Sequence, residues 1–369
     1  MPGKAGIHTW LMLHDDKVDF GLRRHDGRGE RMLNLSVVLL LILSLLSFRK
    51  EASAAAAPGK KLVIAYAAMN ARVCPLWAPK ERGLFTKYGF DAEPLFVRGA
   101  PTLVSAMASN EIEVGYTGGT AVIGAVASGS DLKVLSALTN RVTYEVVARP
   151  NIKTAEDLRG KKFGVQAIGG TVWMGAILAL EHLGLDPDRD KIAIIAAGDQ
   201  SVLAQAVAQG TVDATVLDGV QARPLAAKGL NILADLGKLN LPILSSSIVA
   251  RDPYIQKNPQ MVENVIKSVI EGAAFCLSAK EKPNTLKILQ KYLRVSEKDA
   301  EEGYRDMVSG LDRRPYANPA GATNVIRLMK RSNPKVENVK PENLIDDRIM
   351  KRLDQSGFID EVLNRYGVK

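Results

Sequence analysis

Four short segments stand out for the chemistry they could do: Thr117-Gly118-Gly119-Thr120, Gly169-Gly170-Thr171, Gly198-Asp199-Gln200-Ser201 and Asp218-Gly219. Each follows a short apolar run, and several open a helical pattern. A helix N-terminus presents free backbone N–H groups and a partial positive charge, which suits carboxylate, sulfonate or phosphate groups. Hydroxyls of Thr102, Thr117, Thr120 and Thr171 can add hydrogen bonds. Two earlier loops occupy the same kind of position: Ala67–Asn70, with Met69 and Asn70, and Gly99–Thr102, with Ala100, Pro101 and Thr102. Trp173, just past Gly169-Gly170-Thr171, could stack on a flat ligand. Asp218 could pair with a ligand amine or cap the next helix. Arg98 and Arg141 could balance an anion by bidentate bonding, or lie on the surface. Glycine and threonine are ordinary turn and cap residues, so the recurrence of the pattern carries the reading, not any single loop. This is the chemistry of binding. No G-x-S-x-G, H-E-x-x-H or Cys/His spacing supplies a nucleophile or metal, and past residue 54 the only histidine is His182. No catalytic residue, metal or cofactor is expected.

Such loops need strands to end in them and helices to begin from them. Lys61–Tyr66, Asp91–Val97 and Glu113–Tyr116 read as strands, with a helix over 73–88 ended by Gly89 and another over 103–108. The order restarts at Lys162–Gln166, Val172–Leu183, Ile192–Ala196, Leu203–Ala208 and Ala214–Leu217. Residues 102–120 and 202–220 are one segment written twice: Leu103 matches Leu203, Ala106 matches Ala206, and Gly119 matches Gly219. A period near 100 residues is too long for a solenoid, whose repeats run about 20–50. It predicts two α/β lobes, each a mostly parallel sheet flanked by helices, with a ligand cleft between them. In open parallel sheets ligands sit outside the carboxyl ends of the strands, where these loops lie. Thr117–Thr120 and Asp218–Gly219 are then expected to face each other across the cleft. From Asp252 the chain reads as amphipathic helices, at 261–279, 283–293, 297–307, 344–357 and 361–366. Leu244–Ala250 reads as a strand crossing back. The expected division is 61–145 plus 252–369 for the first lobe and 146–250 for the second.

The composition is globular, with 46% hydrophobic and 24% charged residues. The net charge of +9 is dispersed without a basic run, and aromatics are only 5%, which argues against a nucleic-acid surface. The first 54 residues hold 8 Lys+Arg and 6 Asp+Glu, leaving +7 on the remainder. Leu33–Phe48 is apolar, preceded by Arg23, Arg24, Arg28 and Arg31 and followed by an Ala-rich stretch through Ala57. This predicts a secretory signal over 1–54 with an extended n-region, and hence a periplasmic protein. An uncleaved N-terminal anchor is the alternative, but the apolar stretch is short for a span of about 20 residues.

The segments KERGLFTKYGFDAEPLFVRGAPTLVSAMASNEIEVGYTGGT, LRGKKFGVQAIGGTVWMGAILALEHLGLDP and QGTVDATVLDGVQA resemble the periplasmic substrate-binding proteins of ABC importers. The resemblance is to the nitrate, sulfonate and bicarbonate group, which includes binders of thiamine-pathway pyrimidine precursors, and it covers about 61–284. It implies a type II periplasmic-binding-protein fold. It also implies ligand contacts near Met69-Asn70, Ala100–Thr102, Thr117–Thr120, Gly169–Thr171 and Asp218. Two hinge strands are implied near Tyr144–Ala148 and Ser246–Val249, closing around a small anionic or heterocyclic solute. The implied partner is a membrane permease, and a monomer is expected. The alternative is an enzyme of the same fold in pyrimidine or thiamine-precursor metabolism.

Overall fold

In the computed structural model, residues 60–369 apart from Arg331 are described, so the expected export segment at 1–54 lies outside them. Ten strands form two sheets. Strands β1 (Lys60–Tyr66), β2 (Phe90–Phe96), β3 (Val114–Thr117), β4 (Leu132–Arg141) and β10 (Pro242–Arg251) make the first. Strands β5 (Glu145–Ala148), β6 (Lys162–Val165), β7 (Ala193–Ala196), β8 (Ala214–Leu217) and β9 (Asn231–Asp235) make the second. Their orders are β2-β1-β3-β10-β4 and β7-β6-β8-β5-β9. Each has three parallel strands followed by one antiparallel to its neighbours: β10 in the first sheet and β5 in the second. The repeat in the sequence is therefore a repeat of topology, with β1, β2 and β3 matched by β6, β7 and β8.

The exchange of strands between lobes departs from the boundaries read in the sequence. Glu145 pairs with Leu217 and Asp235 in the second sheet, and β10 lies in the first. The chain thus crosses at 142–144 and returns before Pro242, not at 251. A strand's partners are chosen by long-range pairing, and the run PILSSSIVAR fits either sheet by pattern alone. The helix expected over 73–88 is interrupted too. It runs as Cys74–Glu81 and Leu84–Lys87, separated at Gly83, whose φ of 65° breaks helical geometry. Pro94 in β2 is tolerated because β2 is an edge strand.

The C-terminal helices cover the first sheet. Helix Pro259–Leu277 buries Val262, Val265, Ile266, Val269, Ile270 and Ala273, the three-and-four spacing of an apolar stripe. They share a core with Leu62, Ile64, Ile248, Trp77 and Phe275. Burying each valine or isoleucine is worth about 1.5–3 kcal/mol. Helix Pro319–Met329, which the sequence reading missed, packs on β10, and Gly321 lies against the Ile243 backbone.

Helix Gly219–Ala226 of the second lobe meets helix Glu297–Gly310 of the first. There the Gly219 N–H donates to Asp306 Oδ2 at 2.5 Å. Arg223 bonds Glu302 at 2.5 Å, Asp306 at 2.6 Å and Glu145 at 3.2 Å. One guanidinium thus ties three carboxylates from both lobes.

Candidate functional site

The lobes meet at the loops that leave the carboxyl ends of their strands, and these loops pair diagonally. Gly118, after β3, lies against Thr171, which opens the helix after β6. Asp218, after β8, lies against Arg72, which follows β1. Each third loop therefore meets the opposite lobe's first loop. The two first loops also touch, the Gln166 amide donating to Ala67 O at 3.1 Å. The second loops meet at the rim, where exposed Arg98 pairs with Asp199 at 3.3 Å. Thr117–Thr120 and Asp218–Gly219 do not face each other as expected, because each packs on the opposite lobe's first loop instead.

Arg72 is positioned by local structure. The Asn70 side chain accepts from the Arg72 N–H at 3.1 Å and caps the turn Ala71–Val73, which leads into helix Cys74–Glu81 with Pro75 in its first turn. The Arg72 side chain is 4% exposed. Its Nη1 donates to Thr143 Oγ1 at 2.5 Å, and its guanidinium lies 4.6 Å from the Tyr144 ring centroid. The Tyr116 hydroxyl donates to the Arg72 carbonyl at 2.6 Å. Arg72 Nη2 has no hydrogen-bond partner and stands 3.8 Å from Asp218 Oδ2, which has none either. Burial pushes the Asp218 carboxyl up to about 6, Arg72 opposing and Asp306 reinforcing the rise. Asp306 and Glu145 are also raised, chiefly by burial.

Around this pair lie two chambers. The inner one, of about 40 Å³, is lined by Asn70, Arg72, Thr117, Gly118, Gly170 and Thr171, with Ala100, Tyr116, Tyr144, Gln166, Ser245 and Ser246 also in the wall beside small apolar side chains such as Ala67, Val73 and Val172. The outer one, of about 310 Å³, is lined by Met69, Asn70, Asp199, Ser201, Asp218, Tyr292 and Arg294. Thr117 Oγ1 is buried without a partner.

The structure therefore brings together Met69, Asn70, Ala100, Thr117, Gly118, Gly170, Thr171 and Asp218. It places the other expected residues elsewhere. Thr102 is exposed on helix Ala100–Ala108. Pro101 packs beside Gly170 outside the chamber walls, and Gly169 borders open space. Gly119 packs on Leu244, and Thr120 is fully buried away from the chambers. Trp173 lines a separate cavity of about 350 Å³ with Ile177, Leu185 and Leu328. Two helical positions are about 200° apart around the axis, so Trp173 points away from the face that Thr171 presents. Arg141 pairs with Asp312 at 3.5 Å. The sequence reading missed Arg72, Tyr116, Tyr144, Gln166, Ser245 and Ser246. Arg72 alone left a trace, as a cation two residues past a cap-forming asparagine in a strand-end loop. Cys74 and Cys276 are both buried and unbridged. Among the described residues no cluster of three His, Cys, Asp or Glu could hold a metal.

The raised Asp218 carboxyl has a measurable consequence. Its value lies above the unfolded one, near 3.9, so the fold holds the proton more tightly. The stabilisation is complete below about pH 4 and is lost as pH rises through 6, a change of roughly 3 kcal/mol. Measured by denaturant unfolding, wild-type stability relative to Asp218→Asn is expected to fall by that amount between pH 4 and pH 7. A difference that stays constant with pH overturns the assignment.

Two five-stranded α/β lobes closed on chambers built from strand-end loops define the periplasmic binding-protein fold. The chain belongs to the NMT1/THI5-like family, whose pattern matches residues 70–283. A Brucella abortus protein provisionally named as a binding protein is 26% identical over 230 residues, covering 60% of this chain and 68% of the relative. The nitrate/nitrite binding protein NrtA of Nostoc is 24% identical over 278 residues, 66% of this chain and 61% of NrtA. Among solved structures, the alkanesulfonate-binding protein SsuA of Xanthomonas axonopodis, bound to MOPS, superposes with a TM-score of 0.64 at 18% identity, covering 79% of this chain and all of SsuA.

Proposed function

We propose that this protein is the extracytoplasmic solute-binding receptor of an ABC importer. It captures a small solute between its lobes and delivers it to a membrane permease. The observation that carries this reading is the buried Arg72–Asp218 pair at the meeting of the two lobes, each member keeping one polar atom without a hydrogen-bond partner. A nitrate/nitrite binder and a candidate binding protein among the relatives, and a sulfonate binder of the same fold, support it. The protein is exported through its apolar N-terminal segment and works as a monomer. It binds without turnover: the chamber walls offer hydroxyls, amides and the charged groups of Arg72, Asp199, Asp218 and Arg294, while His182 sits exposed at the end of helix Thr171–His182.

The test is thermal unfolding of the purified protein against nitrate, alkanesulfonates, aromatic carboxylates and pyrimidines, with each compound assayed afterwards for conversion. Saturable stabilisation by at least one compound at or below 1 mM is expected, since ligand at about 100 times its dissociation constant adds about 2.7 kcal/mol. The compound should be recovered unchanged. Stabilisation by none, or conversion of the bound compound, overturns the reading.

Release should depend on the clamp at Arg223. Arg223→Ala removes the bonds from helix Gly219–Ala226 to Glu302 and Asp306. The guanidinium is 37% exposed, so solvent screens it and its loss is worth about 1–2 kcal/mol. Stopped-flow measurement is expected to show solute leaving about tenfold faster, and an unchanged off-rate counts against a clamping role.

A further inference from the structure

The chain holds two cysteines, and both lie in the core of the first lobe, away from the chambers. Cys74 opens helix Cys74–Glu81, and Cys276 sits near the end of helix Pro259–Leu277. Both side chains are fully buried, in a cluster that also holds Trp77, Phe275 and Tyr304.

The two helices approach until their backbones touch. A Cβ on Gly272 would stand 2.3 Å from the Pro75 carbonyl oxygen and 2.7 Å from Pro79 Cδ, so the contact needs glycine. Cys276 is four residues beyond Gly272, on the same face of its helix one turn on, and Cys74 adjoins Pro75. That packing turns the two thiols toward each other. Burial and the Cys74 thiol beside it push the Cys276 thiol up. Burial also raises the Tyr116 and Tyr304 hydroxyls, and both sulfurs add to each rise. A strand residue and a residue of helix Glu297–Gly310 thus each face the pair.

We propose that Cys74 and Cys276 form a disulfide site, bridged as the chain folds in an oxidising compartment. One cysteine thiolate attacks a sulfur of an external carrier disulfide, forming a mixed disulfide and releasing one carrier thiol. The second thiolate attacks the cysteine sulfur of the mixed disulfide, closing the Sγ–Sγ bond and releasing the other carrier thiol. The two cysteines lose two electrons, which reduce the carrier disulfide, and their two protons end on the carrier thiols. Neither thiol is reachable in the finished fold, so the exchange precedes closure of the core.

The placement of the pair says what the bond does. The first sheet takes β1 to β4 from one stretch of chain and β10 from another, with the second sheet's strands between them. Cys74 belongs to the first stretch, and Cys276 follows β10. The bond therefore ties together the two halves of a discontinuous lobe, across a loop that contains the whole second lobe. A crosslink across so long a loop restricts the unfolded chain strongly. Both sulfurs lie in one lobe, so the crossings at 142–144 and before Pro242 stay free to bend. The inference goes beyond the receptor reading and asks nothing of the solute. Export supplies only the compartment in which such bonds persist.

Refolding tests it. The purified chain is unfolded in guanidinium with dithiothreitol, then refolded by dilution into either dithiothreitol or a mixture of reduced and oxidised glutathione. Each sample is denatured without reductant and labelled with a maleimide, and its peptides are weighed. After refolding in glutathione the protein is expected to take up no label and to yield one crosslinked peptide joining Cys74 to Cys276. The dithiothreitol sample should take up two labels. The bridged form should unfold at a temperature higher by about 4 °C or more. In the double variant Cys74→Ala, Cys276→Ala the two refolding conditions should give one midpoint. Two free thiols after refolding in glutathione, or a glutathione adduct in place of the bridge, overturn the site. A bridged form that unfolds no higher than the reduced one overturns its role in the lobe. The wild-type comparison needs no variant, so it stands even where the double variant folds poorly.

Discussion

Replacing Arg72 by glutamine is expected to weaken solute binding about a hundredfold or more, the largest effect of any single substitution in the cleft. The guanidinium is buried, stacks on Tyr144 and holds one N–H free of any protein acceptor. Truncating one partner of a buried, hydrogen-bonded charge pair costs about 2–5 kcal/mol, and the bound solute would supply the partner. Glutamine keeps a donor for Thr143 but loses the charge and the second arm of the fork. Arg72→Lys should recover little, because an ammonium cannot bond Thr143 and reach the inner chamber at once. Titration calorimetry, with circular dichroism to establish folding, decides the matter. Affinity within threefold of wild type in folded Arg72→Gln would remove Arg72 from the site.

The second large effect is steric. Gly118 has φ −82° and ψ 145°, ordinary extended geometry open to any residue. What it lacks is room. A Cβ there would stand 1.7 Å from Thr171 Oγ1 and 3.0 Å from the Ser245 carbonyl. Thr171 belongs to the opposite lobe, so Gly118→Val should wedge the lobes apart. Affinity scales with the fraction of molecules able to close, and a hundredfold loss of the closed form weakens binding a hundredfold. Small-angle scattering with saturating solute should show the variant more extended than wild type. A double variant, Gly118→Ala with Thr171→Gly, should restore much of the closure. Wild-type compaction in Gly118→Val would mean that the contact is not part of closure. Gly83 makes the contrast, since its φ of 65° constrains the backbone while open space surrounds its Cβ direction.

Much of the architecture was readable because it rests on local periodicity. Strand runs such as KLVIAY and ATVL, and the glycine-bearing loops after them, announce β-α units within a few residues of their observed ends. The stripe Val262, Val265, Ile266, Val269, Ile270 announces a helix with one buried face. Thr117, Gly118, Gly170 and Thr171 were found for the same reason: a loop leaving a parallel strand points toward the sheet's carboxyl edge. Trp173 was misplaced although the signal was available, for a residue two positions beyond Thr171 lies on the opposite side of the helix. Thr102 and Thr120 were included because a hydroxyl looks the same in a sequence whether it lines a cleft, faces solvent or is sealed in the core.

The sequence alone determined that there would be two similar lobes, where their strand-end loops would fall and that these loops would suit a bound solute. Those properties are encoded over ten to twenty residues, the range within which hydrophobic period and turn chemistry act. Only the tertiary structure decided which loop meets which, and so where the charge lies. Arg72 reads as one more cation in a +9 chain until Thr143, Tyr144 and Asp218, 71 to 146 positions away, enclose it. Burial is what turns that residue from a solvated charge into a candidate binding group. It is a property of the assembled lobes that no local pattern carries.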